Sequence, residues 1–248
     1  MKLFCAELGQ QYDTYTFGYA NYCEKEGGDS LTSIYESGYL PYSGAPEAHN
    51  LFYMARSIRV LLRDFELSSE NRRIAKKFDG RFTKERVPFA QFSYDDDFYS
   101  LFLTYFAQRH GDAMPRRRLD HILASGLVTN TLIYHSAGKP VAYVLEIAEG
   151  SMAHFWYSCY DLALAQQSLG LWLMLDALRD AKARGLEYYY LGTLYGKKAL
   201  YKANFKPLQW WDGGEWNNNS TILKKRVKED DVRTTILVDR LKETYRLF

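Results

Sequence analysis

The sequence predicts an α+β fold, a mixed and largely antiparallel sheet flanked by helices, with a smaller α+β region ahead of it. Three observations lead there. Residues 131–160, TLIYHSAGKPVAYVLEIAEGSMAHFWYSCY, read as three strands with turns at Ala137-Gly138-Lys139 and Glu149-Gly150-Ser151, an antiparallel meander. Two stretches of helical periodicity bracket it. DDDFYSLFLTYFAQRHG places Phe98, Leu101, Phe102, Tyr105 and Phe106 on one face, and SLGLWLMLDALRDAKARG does the same with Leu171, Trp172, Met174, Leu175 and Leu178, stopping at Gly185. After the second helix a dense aromatic strand, LEYYYLG, returns.

The remaining elements follow from local signals. Residues 1–50 are short segments broken by Gly and Pro, in EGGDS (26–30) and GYLPYSGAPEAHN (38–50), so turns around a small helix at Leu31 to Glu36 are expected. LFYMARSIRVLLRDFEL (51–67) alternates around Ile58, Val60 and Leu62 as a half-buried strand would. SSENRRIAKKF starts a helix capped by Ser68 or Ser69. The character changes after Pro88. RRRLD (116–120) reads as a polar loop before a short helix near Leu119 to Ala124. The stretch after LEYYYLG runs through a basic segment into FKPLQWW, a helix-to-strand passage, and KKRVK with VRTTILVDRLKETYRLF reads as a charged tail helix. The expected division is residues 1–90 and 91–248.

Composition narrows the partners. The 248 residues are 47% hydrophobic and 25% charged, as in an ordinary globular chain, so neither a disordered nor a membrane-spanning protein is expected. With 32 Lys and Arg against 30 Asp and Glu, the net charge of +2 offers no global attraction for a polyanion, and any such argument must be local. Cys5, Cys23 and Cys159 are too few and too scattered for a disulfide framework or a metal knuckle, and His49, His110, His121, His135 and His154 lack ligand spacing. Neither a metal nor a cofactor is expected, and MKLFCAELGQQYDTY has no apolar signal core, so a cytoplasmic location is expected. The sequons at Asn218 and Asn219 then read as chance. The 21 Tyr suggest a ligand surface, because the amphipathic ring can line a groove or stack on a base.

Helix, helix, meander, helix, strand, helix, strand is the element order of the GNAT-type acyltransferases. Ahead of the long helix that family presents backbone N–H groups to a cofactor pyrophosphate, and Gln167-Ser168-Leu169-Gly170-Leu171-Trp172 stands there in this chain. Alternatively Ser168 caps the helix and Gly170 permits close packing. Trp172, bulky where coenzyme A would lie, argues against an ordinary acetyltransferase.

A second resemblance is more specific. Ser168-Leu169-Gly170, Tyr190-Leu191-Gly192 and Leu200-Tyr201-Lys202-Ala203-Asn204-Phe205-Lys206-Pro207 follow one another as in the aminoacyl-tRNA:protein transferases, the arginyl- and leucyl-transferases of the N-degron pathway. Gly38-Tyr39-Leu40-Pro41-Tyr42-Ser43-Gly44 resembles that family's Gly-[Phe/Trp]-Arg-Arg-x-Gly turn without its two arginines. Ile58-Arg59-Val60 and Leu67-Ser68-Ser69-Glu70-Asn71-Arg72-Arg73 resemble its Leu-Arg-Val and Pro-Ser-x-Ser-Gln-Arg-Arg. The chain departs from the family in having no cysteine between Cys23 and Cys159, where an N-terminal cluster usually stands.

The resemblance implies transfer of an amino acid, arginine or leucine, from the 3′ ester of aminoacyl-tRNA to the α-amino group of a protein or peptide. Such an ester is already activated, so the protein needs to align the amine, accept a proton and steady an oxyanion. Candidate proton acceptors or orienting groups are Glu146, Asp161 and Tyr190, each of which could equally be a surface carboxylate or a packed tyrosine. For the tRNA the candidates are Gln167, Ser168, Gly170, Lys197, Lys198, Tyr201, Lys202 and Lys206. The last five combine cations for phosphates with rings for unpaired bases, and no carboxylate dilutes them. The other basic runs, Arg72 to Lys77, Arg116 to Arg118 and Lys224 to Arg226, read more simply as solvated faces. Two other functions stay open: an acyl-coenzyme A or peptidoglycan-type transferase, and a paralogue that binds tRNA or N-termini without turnover.

Overall fold

Two sheets divide the strands of the computed structural model, which describes residues 1–14, 16–45, 47–164 and 168–230. In the first, β1 (Lys2–Gln11) and β2 (Thr16–Glu24) form a long antiparallel hairpin. The helix α1 (Leu31–Glu36) follows, its start capped by Ser30 Oγ accepting from the Ser33 amide. Then β3 (Tyr39–Pro41) and β4 (Leu51–Met54) complete the order β1-β2-β4-β3. The hairpin corrects the expectation of turns over residues 1–50. Almost all of β1 is exposed, so it lacks the alternation of apolar and polar residues that announces a half-buried strand.

The second sheet starts with β5 (Ser57–Leu61), so the single strand expected over residues 51–67 is two strands in two sheets, broken at Ala55-Arg56. There follow α2 (Ser69–Phe78), capped by Ser68 Oγ, β6 (Thr83–Pro88), α3 (Asp96–His110) and α4 (Arg116–Ala124). RRRLD is therefore the start of α4 rather than a loop, with Pro115 ahead of it in a position where its missing N–H costs nothing. The meander β7 (Asn130–Ser136), β8 (Lys139–Glu149) and β9 (Met152–Tyr160) leads into α5 (Leu169–Ala183) and β10 (Tyr188–Thr193). A short α6 (Gly196–Ala199), β11 (Leu208–Trp211), β12 (Trp216–Asn217) and α7 (Ser220–Glu229) close the described chain. Of the expected tail helix, KKRVK lies in α7, and residues 231–248 lie outside the described residues. The order is β12-β11-β5-β10-β9-β8-β7-β6, antiparallel except for β9 with β10.

Alternate residues of the meander serve opposite faces, as strand geometry dictates. Leu132, Tyr134, Ala142 and Val144 meet α5 and α2, while Ile133, Tyr143 and Leu145 meet α3 and α4. A third cluster, with Ile34, Tyr35, Ile147, Met152 and Tyr190, joins α1 to the larger sheet. Ions fasten α5 along its polar side. Asp180 pairs with Lys84, Arg86 and Arg184, and Asp176 with Lys84 and Arg179. Arg179 also reaches Asp79 at the end of α2, and Trp172 Nε1 donates to the same carboxylate at 2.9 Å.

Glu146 lies at the centre of this network. Its side chain is 0% exposed and accepts from Arg86 at 2.7 Å, from Arg184 at 2.9 Å and from the Tyr189 hydroxyl at 3.1 Å. Removing one partner of a buried ion cluster leaves the rest uncompensated, at a cost of about 3–5 kcal/mol. We expect Glu146→Ala to lose about that much stability in urea unfolding. A loss below about 1 kcal/mol would show that the cluster is not an anchor.

Candidate functional site

Among the described residues one pairing of the large sheet is parallel, and it is short. β10 meets β9 only from Tyr188 opposite Met152 to Tyr190 opposite His154, and beyond that point the two strands part. Gly192 turns β10 at the same place. Its φ of +77° lies in the left-handed region, and the register with β5 shifts between Tyr190 and Thr193. A cleft of about 420 Å³ opens at the parting, between β9 and β10, and is closed on its other sides by residues 40–44, Tyr53 and α3.

Lys202 fills the gap left in the hydrogen-bonding. Its Nζ donates to the carbonyls of Leu191 at 2.8 Å and Thr193 at 3.0 Å, which have no β9 partner. Burial lowers its pKa to about 8, because the charged form is the one that loses water. His154 lies beside it: a side chain built on Gly192 would come within 3.7 Å of His154 Nε2 and 3.8 Å of Lys202 Nζ. Burial first, and the Lys202 charge second, push His154 down to about 3, so its ring is neutral. Beside an ammonium the favoured tautomer keeps the lone pair on Nε2 and the proton on Nδ1. Nδ1 then donates to the Tyr35 hydroxyl at 3.0 Å. Tyr35 stands edge-on to Tyr190, with centroids 4.8 Å apart, and the Tyr190 hydroxyl accepts from Arg59 at 3.1 Å. The loop leading into α6 is pinned as well. Asp230 pairs with the buried Arg56 at 2.7 Å and accepts from the Gly196 amide at 2.9 Å, while the Tyr195 hydroxyl accepts from the Arg56 amide.

The candidate residues fall in different places. Lys202 and Tyr201 line the cleft. Tyr190 is buried one layer behind it, supporting Tyr35 and through it His154. Glu146 belongs to the ion network and is not among the lining residues, nor is Asp161, whose carboxylate accepts from the Ala163 amide in the turn after β9. Lys197, Lys198 and Lys206 are exposed on the segment that leaves the cleft. Gln167 lies outside the described residues. Ser168 precedes α5 in a left-handed conformation and its side chain makes no capping bond, so the capping alternative is corrected. Gly170 lies against Tyr160, where an added Cβ would come within 3.2 Å of the ring. Trp172 is a further correction. It does not stand over the start of α5 but is buried against Phe78, Phe82 and Tyr134, because its indole N–H finds Asp79.

Sequence reasoning missed His154, which its alternation with core residues marked as structural, and it missed Ser43, Arg118 and Tyr157 on the far wall. Those three come from segments 75 and 39 residues apart, which no local pattern connects.

The Lys202 ammonium ties its titration to stability. In the unfolded chain it holds its ordinary value of 10.5, and below about 8 both states carry the proton, so the burial penalty is fully present. Between about 8 and 10.5 the unfolded chain binds more protons than the folded one, and stability rises with pH. Across that window the wild type should gain about 3 kcal/mol on Lys202→Met, read from urea midpoints. A constant difference would contradict the desolvated ammonium.

Residues 72–206 match the family described as the acetyltransferase (GNAT) domain. The aspartate/glutamate leucyltransferase of Methylorubrum extorquens (strain PA1) is 33% identical over 172 residues, covering 61% of this chain and 66% of that protein. The enzyme of the same name from Cereibacter sphaeroides (strain ATCC 17029 / ATH 2.4.9) is 28% identical over 176 residues, covering 65% of this chain and 61% of that protein. The chain thus spans slightly less than two thirds of the length of these curated relatives, which bear out the resemblance to the aminoacyl-tRNA:protein transferases. Among solved structures, the C-terminal domain of a putative lysylphosphatidylglycerol synthetase from Agrobacterium fabrum aligns over 66% of this chain and 51% of that one, with a TM-score of 0.44 and 16% identity. With the family match covering more than half its length, and the strands and helices arranged as described, the chain belongs to the GNAT acetyltransferase-domain family.

Proposed function

We propose that the cleft transfers a leucyl group from the 3′ ester of aminoacyl-tRNA to the α-amino group of a protein or peptide whose first residue is acidic. The observation that carries this reading is a desolvated ammonium, Lys202, beside a neutral histidine in a cleft that, among the described residues, no carboxylate and no thiol lines. Aminolysis of an activated ester needs no nucleophilic side chain. The amine nitrogen bonds to the ester carbon, the bond from that carbon to the ribose oxygen breaks, and one proton passes from the amine to the ribose oxygen. His154 Nε2 accepts a hydrogen bond from the amine and orients it. Lys202 faces the oxyanion and, with its pKa lowered to about 8, can give a proton to the leaving oxygen and regain one from the amine.

The lining also bears on the amino acid. An arginyl side chain entering this cleft would find no carboxylate among the described lining residues, whereas Leu40, Phe155, Met174 and Leu191 offer a leucyl group apolar contact. The relatives' name, aspartate/glutamate leucyltransferase, supports leucine and an acidic acceptor together. Lys197, Lys198 and Lys206 are placed to meet phosphates, and Tyr201, 42% exposed, to meet a terminal base. α7 lies beside α6 and extends this edge with exposed Lys224 and Lys225.

One observation favours a second reading, an acyl-coenzyme A donor: Trp172 turns into the core rather than standing over the start of α5. Against it, Gly170 is already occupied by Tyr160, which explains the glycine without a pyrophosphate. Saturable coenzyme A binding in calorimetry would decide for this reading.

With a mixture of aminoacyl-tRNAs and a peptide panel read by mass spectrometry, we expect leucine to exceed arginine at least tenfold. Arginine in excess would overturn the donor assignment. Lys202→Met should lower kcat by about a hundredfold, the scale of losing one oxyanion donor. Lys197→Glu with Lys198→Glu should raise KM for the tRNA about tenfold and flatten its salt dependence, with kcat unchanged. The amine must be neutral, with a reference pKa of about 8, and Lys202 must be charged, so kcat/KM should peak near pH 8. In Lys202→Met the fall at higher pH should vanish.

A further inference from the structure

Arg118 is the second strong cation of the cleft, and among the described residues no carboxylate pairs with it. Its Nη1 donates to the Ala113 carbonyl at 2.6 Å, and its Nη2 to Ser43 Oγ at 3.1 Å and, more weakly, to the Tyr157 hydroxyl at 3.4 Å. Ser43 and Tyr157 are bonded to each other at 2.6 Å. The guanidinium is thus held by three neutral oxygens from the segment after β3, the loop before α4, and β9. Its Nε is buried and has no acceptor. The guanidinium thus meets only neutral oxygens, and a ligand that brings negative charge to this wall would gain a charge-assisted hydrogen bond.

On β9, Tyr157 lies three residues beyond His154, and the register shift with β8 between them lets both line the cleft, roughly 7–10 Å apart along the strand. Two hydrogen bonds and one acidic residue, measured from its α-amine to its carboxylate, span roughly that distance. Tyr157 and Arg118 stand on the β9 side, whereas the exposed lysines that suit tRNA phosphates lie on the segment after β10.

We infer that Arg118, steadied by Ser43 and Tyr157, reads the side-chain carboxylate of the acceptor's first residue while His154 orients its amine. This rests on the transferase reading and adds to it the residues that set acceptor specificity.

The test uses the full chain and two readouts. Binding of the dipeptides Asp-Ala, Glu-Ala, Asn-Ala and Gln-Ala is measured by NMR titration without tRNA, and leucyl transfer is measured to peptides with the same first residues. The wild type should favour the acids over their amides at least thirtyfold in both. In Arg118→Gln the ratio should fall to within threefold, with KM for aminoacyl-tRNA unchanged, and Arg118→Lys should fall between. Should Arg118→Gln fail to fold, the same ratios in Arg118→Lys decide. An undiminished preference would overturn the inference, as would equal losses for acids and amides, or a raised KM for aminoacyl-tRNA, which would mark Arg118 as a phosphate contact. If no aminoacyl-tRNA is used yet the dipeptide preference follows Arg118, the transferase reading falls and the carboxylate site stands. If leucyl transfer occurs and its acceptor preference is the same in Arg118→Gln, the transferase reading stands and the carboxylate site falls.

Discussion

The parting of β9 from β10 is the constraint on which the rest of the site depends. A parallel pair supplies evenly spaced hydrogen bonds for as long as it runs, and here it stops after three residues. Two carbonyls of β10 are then left over, and a buried carbonyl must be satisfied. Lys202 satisfies both, which brings an ammonium into the sheet's interior edge and makes a charged group out of what began as a backbone deficit. Gly192 permits the turn because it alone tolerates the left-handed backbone between those carbonyls. A cation held by carbonyl dipoles rather than by a carboxylate keeps its charge unneutralised, so it remains available to an oxyanion.

Such an opening would collapse unless both walls were held independently. The β10 wall is held by β5, whose Arg59 lies between the rings of Tyr188 and Trp216, 3.8 and 4.1 Å from their centroids, while bonding Tyr190. The helix that bridges the strands is held by the Glu146, Asp180 and Asp176 network. Glu146 therefore serves the cleft at a distance: it fixes α5, and α5 carries Met174 into the lining. Its full burial and its two guanidinium partners suit a fastening role, because a proton acceptor needs access to its substrate.

The fold was legible where one face of an element is buried and the other is not. The meander, α3 and α5 show clean alternation or 3.6-residue periodicity, and Ser68 caps α2 as its position suggests. β1 and β2 were illegible because the hairpin is solvated along most of its length, and β5 was fused with β4 because both are apolar and only Ala55-Arg56 separates them. The site was half legible for a similar reason. Lys202 and Tyr201 sit in one contiguous basic and aromatic run, so composition reveals them. His154, Ser43, Arg118 and Tyr157 come from distant segments, and each has an innocent local reading until the sheet brings them together.

The departures from the family pattern make sense against that assembled wall. The turn Gly38 to Gly44 lacks both arginines of the pattern it resembles, which taken alone suggests a lost anion site. In the fold, however, Ser43 in that turn accepts from Arg118, which arrives from α4. A guanidinium thus stands at the turn although the turn does not encode one. Ser43 can play this part because its hydroxyl is small, 6% exposed and bonded to Tyr157, so it orients the fork without neutralising it. Charge at this corner is set by the packing of α4 against β9 and the turn, and reading any one of the three segments alone gives the wrong sign for the site. Net charge therefore says little about the site: carboxylates pair with cations on α5 and at the rim, and none of the described residues lining the cleft is a carboxylate beside its two cations.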